Sequence, residues 1–307
     1  MHQPLYSVII PVYNSEKTLR EVVNRVIAFF ESTSLPVELI LVNDYSKDKS
    51  WELIKQLKNE YKNKITGINF SQNFGQHKAL LCGFRHCTGD FIITIDDDLQ
   101  QYPEDIKCLI DRHSETETDI VYGIYKKKNH SFLRNIGSSV LTMIFLKFAN
   151  TPDQGSSFRL MTRHVVDLIK NYNSPFVFLD EILAWYSRSC SFTYVRHKRR
   201  PIGQSGHNSV QLVVYSLQII FTYTLLPLYF ITWIGLMAFF VCLFFICYFI
   251  YQKYTHGAAL GFTALIVSIF MSTGLILFSL GIIGKYISHL FFLQSQRPSY
   301  IIKDILL

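Results

Sequence analysis

Three consecutive carboxylates close an apolar run in IDDDLQ, Ile95–Gln100. Side chains so placed repel one another and lose solvation, a cost that a bound cation offsets. Alternation along a strand end puts Asp96 and Asp98 on one side and Asp97 on the other. Mg2+ is commonly held by one or two carboxylates together with substrate phosphate oxygens and water. Asp96, Asp98 and Gln100 form a donor set of that kind. The same run also reads as a solvated acidic loop ahead of a helix that starts near Pro103. A second polar group is ILVNDYSKD, Ile40–Asp48, where Asp44 follows a buried run and can accept hydrogen bonds from a base or ribose. Ser46 or Asp48 serves equally well as the N-cap of the next helix. A third is SQNFGQHKAL, Ser71–Leu80, in which Gly75 allows a tight turn and Gln76 and His77 open a helix. Helix N-termini favour anions.

The elements that must carry these groups follow from periodicity. Short apolar runs at Ser7–Val12, Glu38–Val42, Ile65–Phe70, Phe91–Ile95 and Asp119–Tyr122 read as strands. Between them lie helical patterns: Lys17 to Phe30, a stretch around Trp51–Leu57, Gln76 to His86, and Pro103 to about His113. Strands separated by helices of this length predict an α/β fold with a parallel sheet covered on both faces. Ligands of such sheets bind beyond the carboxyl ends of the strands. That rule selects Pro11–Asn14, Asn43–Ser46 and Asp96–Gln100.

Beyond residue 125 the pattern changes. Lys126–Lys128 is a basic cluster, and residues 133–148 form an apolar helical stretch that suits a membrane surface or a core equally. Of 23 acidic residues only Asp304 follows residue 200, and of 30 basic ones only Lys253, Lys285, Arg297 and Lys303 do. The runs 225–251 and 258–286 exceed the about 20 apolar residues needed to cross a ~30 Å hydrocarbon layer. We expect two transmembrane helices there, preceded by an interfacial helix at 209–223. Basic residues flank the pair at Arg196–Arg200 and at Lys285, Arg297 and Lys303, which predicts a short outer loop and both termini in the cytoplasm. The net charge of +7 then reads as attraction to anionic lipid rather than nucleic acid. The six cysteines show no metal-binding spacing, and no signal-peptide pattern precedes the first strand.

PVYN at 11–14, NDYS at 43–46, NFGQ at 73–76, DDDLQ at 96–100 and SSFRL at 156–160 occur in order at familiar offsets. Together they resemble the GT-A inverting glycosyltransferases of family 2, in particular the polyisoprenyl-phosphate branch. That branch includes dolichol-phosphate mannose synthases and bacterial undecaprenyl-phosphate glucosyl and aminoarabinosyl transferases. The resemblance spans the chain and implies a cytoplasmic GT-A, Rossmann-like domain over 1–208, the helices above, and a cytoplasmic tail over 287–307. It implies a multi-pass protein of the bacterial inner membrane, able to form a homo-oligomer. It also implies a UDP- or GDP-sugar donor and a polyisoprenyl phosphate acceptor, undecaprenyl phosphate.

On the matching positions, Pro11, Tyr13, Asn14, Asp44, Asn73, Gln76, Asp96 and Arg200 would bind the donor. Asp96, Asp98 and Gln100 would hold Mg2+ or Mn2+. Lys126, Arg134 and Arg199 would meet the acceptor phosphate, and Asp98, Arg159 and Asp180 would be catalytic. Three positions depart from the family: Asn43 replaces an Asp, Tyr45 a Gly, and SSFRL the more usual GDFRL. The last change removes a carboxylate often proposed as base, leaving Asp153 and the Asp180–Glu181 pair nearby. Two other readings compete. A processive synthase would carry Gln-x-x-Arg-Trp, whereas Gln294–Arg297 is followed by Pro298. A catalytically inactive membrane scaffold would have no use for the acidic run.

Overall fold

The computed structural model describes residues 3–125, 156–174, 177–187, 189–198, 226–256, 262–294 and 298–307. The chain forms two units, Met1–Gly206 with Arg297–Leu307, and His207–Gln296. In the first unit β1 (Tyr6–Val12), α1 (Leu19–Ser32), β2 (Val37–Asn43), α2 (Ser50–Tyr61), β3 (Ile65–Phe70), α3 (Gln76–His86), β4 (Phe91–Thr94), α4 (Ile106–Thr116) and β5 (Ile120–Tyr125) alternate as the periodicity predicts. They are followed by β6 (Arg159–Thr162), α5 (Arg163–Ile169), α6 (Leu179–Tyr186), β7 (Cys190–Val195) and, from the C-terminal segment, β8 (Ile302–Leu306).

The strands form one sheet in the order β7-β5-β6-β4-β1-β2-β3-β8. β4, β1, β2 and β3 pair in parallel, as expected. The expectation of a wholly parallel sheet is corrected: β6 runs antiparallel to β4 and β5, and β8 antiparallel to β3. The direction of β6 matters for the site, because it pairs Arg159 with Thr94 at the carboxyl end of β4.

All seven residues of β1 are buried, as befits a central strand covered on both faces. α1 buries Leu19, Val22, Val23, Val26, Ile27 and Phe30, the 3.6-residue stripe seen in the sequence. Each such side chain contributes about 1.5–3 kcal/mol on burial. On the other face α3 approaches so closely that a Cβ on Gly83 would collide with Ile9. Glycine is therefore required there for α3 to pack and aim its N-terminus at the strand ends.

The second unit contains α7 (Leu226–His256) and α8 (Phe262–Gln294), of 31 and 33 residues, over the two runs expected to be spans. Taken over their described residues alone, neither is long and apolar enough to cross a membrane, so the described residues do not show the two expected spans. Both helices carry large exposed apolar side chains, among them Trp233, Phe244, Leu277 and Phe291. The expected helices at 133–148 and 209–223 lie outside the described residues.

Candidate active site

Four loops leave the carboxyl ends of β1, β2, β3 and β4, and each contains one residue with left-handed backbone: Asn14 (φ 53°), Tyr45 (φ 56°), Gly75 (φ 92°) and Leu99 (φ 61°). Only one of the four is glycine. Of the other three, Asn14 is held by hydrogen bonds to the β2–α2 loop, which offset a conformational cost of about 1–2 kcal/mol.

The acidic run begins after β4 has ended at Thr94, so it lies in a turn rather than on a strand. Its carboxylates nevertheless face different neighbours. Asp96 accepts from Gln76 Nε2 at 2.7 Å on one oxygen, and from Gln101 Nε2 at 2.9 Å and Ser157 Oγ at 2.5 Å on the other. Burial pushes its pKa up, and the Ser157 and Gln76 hydrogen bonds oppose the rise. Asp97 turns toward β1, accepting from the backbone N–H of Tyr13 at 2.9 Å and from the Ser15 hydroxyl. Burial pushes the Asp97 carboxyl up to about 6 despite these bonds. Asp98 is half-buried and accepts from the backbone N–H of Gln100 at 3.1 Å.

Asp44 binds the β3–α3 loop. Its two oxygens accept from the backbone N–H groups of Phe74 (2.6 Å) and Gly75 (2.8 Å). Asn73 Nδ2 reaches the Asp44 carbonyl at 3.3 Å. Burial raises the Asp44 pKa, opposed by those two amides and by the charge of Lys78. Asp44 was expected to contact the nucleobase. In the structure it is buried, and both of its carboxylate oxygens accept backbone N–H groups of the β3–α3 loop.

Pro11, also expected to line the donor site, is buried inside β1 opposite Val42. Tyr13 and Tyr45 are instead the exposed rings at the ends of β1 and β2, each about half exposed. Asn14 clasps the neighbouring loop: its N–H donates to Ser46 Oγ (2.9 Å) and its Oδ1 accepts from the Lys47 N–H (2.8 Å).

Arg159 was expected to be catalytic, facing the donor phosphate or the acceptor. It is 1% exposed, donates to Asp180 Oδ1 at 2.5 Å and lies over the Tyr122 ring. Burial works against its charge, but Asp180 and Tyr122 outweigh that and raise its pKa. Its Nε has no hydrogen-bond partner among the described residues, nor does Glu181 Oε2. His77 lies beside this pair, its Nδ1 accepting from the Leu179 N–H at 3.4 Å at the start of α6. Burial lowers the His77 pKa, with Asp180 opposing. An imidazole that accepts at Nδ1 carries its proton on Nε2.

Several contributors were not apparent from the sequence. Gln101 and Ser157 hold Asp96, and Asp97 holds the β1–α1 loop. The segment after β7 runs along the acidic loop: Gln101 bridges to His197, and the Lys198 N–H donates to the Gln100 carbonyl at 2.9 Å. Lys126, Arg134, Asp153, Arg199 and Arg200 lie outside the described residues. Among the described residues no group of three or more His, Cys, Asp or Glu side chains is arranged to hold a metal. The donor set still suits Mg2+ or Mn2+, which needs only one or two protein carboxylates when a diphosphate supplies the rest.

The strand-end loops of this α/β sheet thus present polar groups, an acidic turn and two exposed aromatic rings, Tyr13 and Tyr45, at one end. Residues 7–169 match the family model for glycosyl transferase family 2, and the chain belongs to that family. It is 29% identical over 305 residues to an undecaprenyl-phosphate 4-deoxy-4-formamido-L-arabinose transferase of Shewanella sediminis, covering 98% of this chain and 92% of that protein. It is 31% identical over 305 residues to an uncharacterised glycosyltransferase of Synechocystis sp., covering 97% and 95%. Among solved structures, the glucosyl-3-phosphoglycerate synthase of Mycobacterium tuberculosis, in complex with Mn2+, UDP and glucosyl-3-phosphoglycerate, shares the fold. The TM-score is 0.50 at 16% identity, over 71% of this chain and 78% of that one.

Proposed function

We propose that this glycosyltransferase moves a sugar from a UDP- or GDP-sugar to a polyisoprenyl phosphate, undecaprenyl phosphate, with inversion at the anomeric carbon. The product is a lipid-phosphate-linked monosaccharide for modifying cell-envelope glycans. The observation that carries this reading is the similarity to an undecaprenyl-phosphate sugar transferase along nearly the whole chain, apolar C-terminal helices included.

In this reading Tyr13, Asn14, Tyr45, Asn73 and Gln76 meet the donor, and Asp98, with Asp96 and Gln100 beside it, holds Mg2+ or Mn2+ against the diphosphate. A bound divalent cation neutralises charge on the diphosphate as a Lewis acid. The lipid phosphate needs no strong base, because its second pKa near ~6 leaves it largely dianionic at neutral pH. One of its oxygens forms the bond to the anomeric carbon as the bond to the diphosphate breaks, and the electron pair leaves with the nucleoside diphosphate. Lys126, Arg134 and Arg199 compensate the acceptor's charge, while Arg200 closes on the donor. Arg159 holds Asp180 in place rather than meeting phosphate itself. The full-length protein incubated with undecaprenyl phosphate, Mg2+ and a panel of UDP- and GDP-sugars is expected to form one glycolipid. Transfer to water alone, with none to lipid, would overturn the acceptor assignment.

Two further results are expected. Tyr45 keeps left-handed backbone where glycine would be easier, and its ring is half exposed at the donor end of the sheet. Tyr45→Gly should leave stability within about 1 kcal/mol of the parent, because relieved strain offsets the extra freedom of the unfolded chain. Donor binding should weaken about fivefold, roughly 1 kcal/mol, through loss of an aromatic contact. Calorimetric titration with UDP and GDP beside a melting curve separates the two effects. The second result concerns the membrane. Helices of 31 and 33 residues are about 46 and 50 Å long. A reporter fused at Gly257 should be extracytoplasmic and one fused after Leu307 cytoplasmic; a cytoplasmic signal at Gly257 rules out the two-span topology.

A further inference from the structure

A line of hydrogen bonds leads from the edge strand β8 to the donor loops. β8 pairs antiparallel with β3 in a regular register from Gly67–Leu306 to Asn69–Asp304, which sets Asp304 opposite Asn69, and the register shifts only at Phe70. Asn69 Nδ2 donates to Asp304 Oδ2 at 2.9 Å, and Asn43 Nδ2 donates to Asn69 Oδ1 at 2.8 Å. The Ser46 hydroxyl donates to Asn43 Oδ1 at 2.6 Å, and its oxygen accepts the Asn14 N–H. Asn43 and Asn69 are buried, 1% and 7% exposed, so neither amide can exchange its partners for water freely.

The direction of the line has one origin. An ionised carboxylate only accepts, whereas an amide side chain both donates and accepts. Opposite Asp304, Asn69 must present its NH2 group, which leaves its carbonyl for Asn43. Asn43 must then donate in turn and leave its own carbonyl for the Ser46 hydroxyl. The Ser46 oxygen is thereby left to receive Asn14. Without the carboxylate both amides can rotate end for end, and the clasp between the β1–α1 and β2–α2 loops loses its fixed polarity.

We propose that Asp304 is a positioning residue for the nucleotide-sugar donor, acting through Asn69 and Asn43 on the Asn14–Ser46 clasp. The inference rests on the donor site assigned above. It also accounts for asparagine at position 43: a carboxylate there would face the Asn69 carbonyl oxygen with no proton to share.

The test uses full-length protein in detergent, with nucleoside diphosphate binding measured by calorimetry and steady-state kinetics run for both substrates. Asp304→Ala should raise the donor KM and the nucleoside diphosphate Kd about tenfold, with lipid KM and kcat within twofold of the parent. Asn69→Asp alone sets two carboxylates face to face and should be worse. Asn69→Asp combined with Asp304→Asn restores a donor and an acceptor at that contact and still accepts from Asn43, so it should recover parental donor KM within threefold. The exchange also guards against misfolding of a single variant, since a merely structural edge strand would not discriminate by hydrogen-bond direction. Unchanged donor KM in Asp304→Ala, equal rises in both KM values, or no recovery in the exchange would overturn the proposal. A parent protein that binds neither UDP nor GDP would instead overturn the donor site on which it rests.

Discussion

Replacing Asp98 with alanine is expected to lower sugar transfer at least about a thousandfold, roughly 4 kcal/mol of transition-state stabilisation. Asp98 is half-buried in the turn after β4, and the hydrogen bond shown for its carboxylate comes from the N–H of Gln100 two residues on. A diphosphate donor needs its charge neutralised, and the donor set around Asp98 suits Mg2+ or Mn2+. Asp97→Ala should behave differently. It leaves the Tyr13 N–H and the Ser15 hydroxyl without their acceptor, and should cost about 1–2 kcal/mol of stability while sparing much of the transfer. Asp96→Ala strands three donors, from Gln76, Gln101 and Ser157, and should lower both stability and activity. Melting curves, transfer rates and Mn2+-dependent UDP binding on the three variants form the test. Equal losses for Asp97 and Asp98, or full transfer in excess chelator, would remove the metal role.

The parallel half of the sheet was legible because its determinants are local. Leu19 to Phe30 repeat at helical spacing, and the runs at Val8, Leu39, Ile68 and Ile92 are short, apolar and bounded by polar turns. The antiparallel strands were not. Arg159–Thr162 has four residues and opens with an arginine, and its strand character comes only from pairing with β4 and β5. Ile302–Leu306 alternates weakly, and its partner β3 lies more than 200 residues away in sequence. The candidate site divides in the same way. Residue types placed Asp96, Asp98, Tyr13 and Asn14 at strand ends, because carboxyl ends follow from strand direction. Residue types could not distinguish Asp44 as a clamp on Phe74 and Gly75 from Asp44 as a ligand group, since both uses need a carboxylate after β2. Ser157 shows how a departure from a family pattern gains a physical reason. It donates to Asp96 and accepts from Gln101, and an aspartate in its place would set a second negative charge against Asp96.

The second large effect separates stability from activity at the Arg159–Asp180 pair. Arg159 is 1% exposed and its Nε already lacks a partner among the described residues, so its charge depends on Asp180 and the Tyr122 face. Asp180→Ala leaves that charge buried without its counter-ion, which costs about 3–5 kcal/mol in buried pairs. Arg159→Met removes the charge, and the packing of a linear apolar side chain takes over part of its volume. The double variant, Arg159→Met with Asp180→Ala, should therefore recover at least half of the stability lost by Asp180→Ala. Activity should not follow. Asp180 has a quarter of its side chain exposed and sits beside His77, next to the Gln76 that holds Asp96. If Asp180 faces the reacting groups, the double variant stays at least about a hundredfold below the parent although it is folded. Chemical denaturation and transfer assays on both single variants and the double give the complete cycle. Recovery of transfer along with stability would make the pair a buried brace between β6 and α6 and would return the search for a catalytic carboxylate to Asp153.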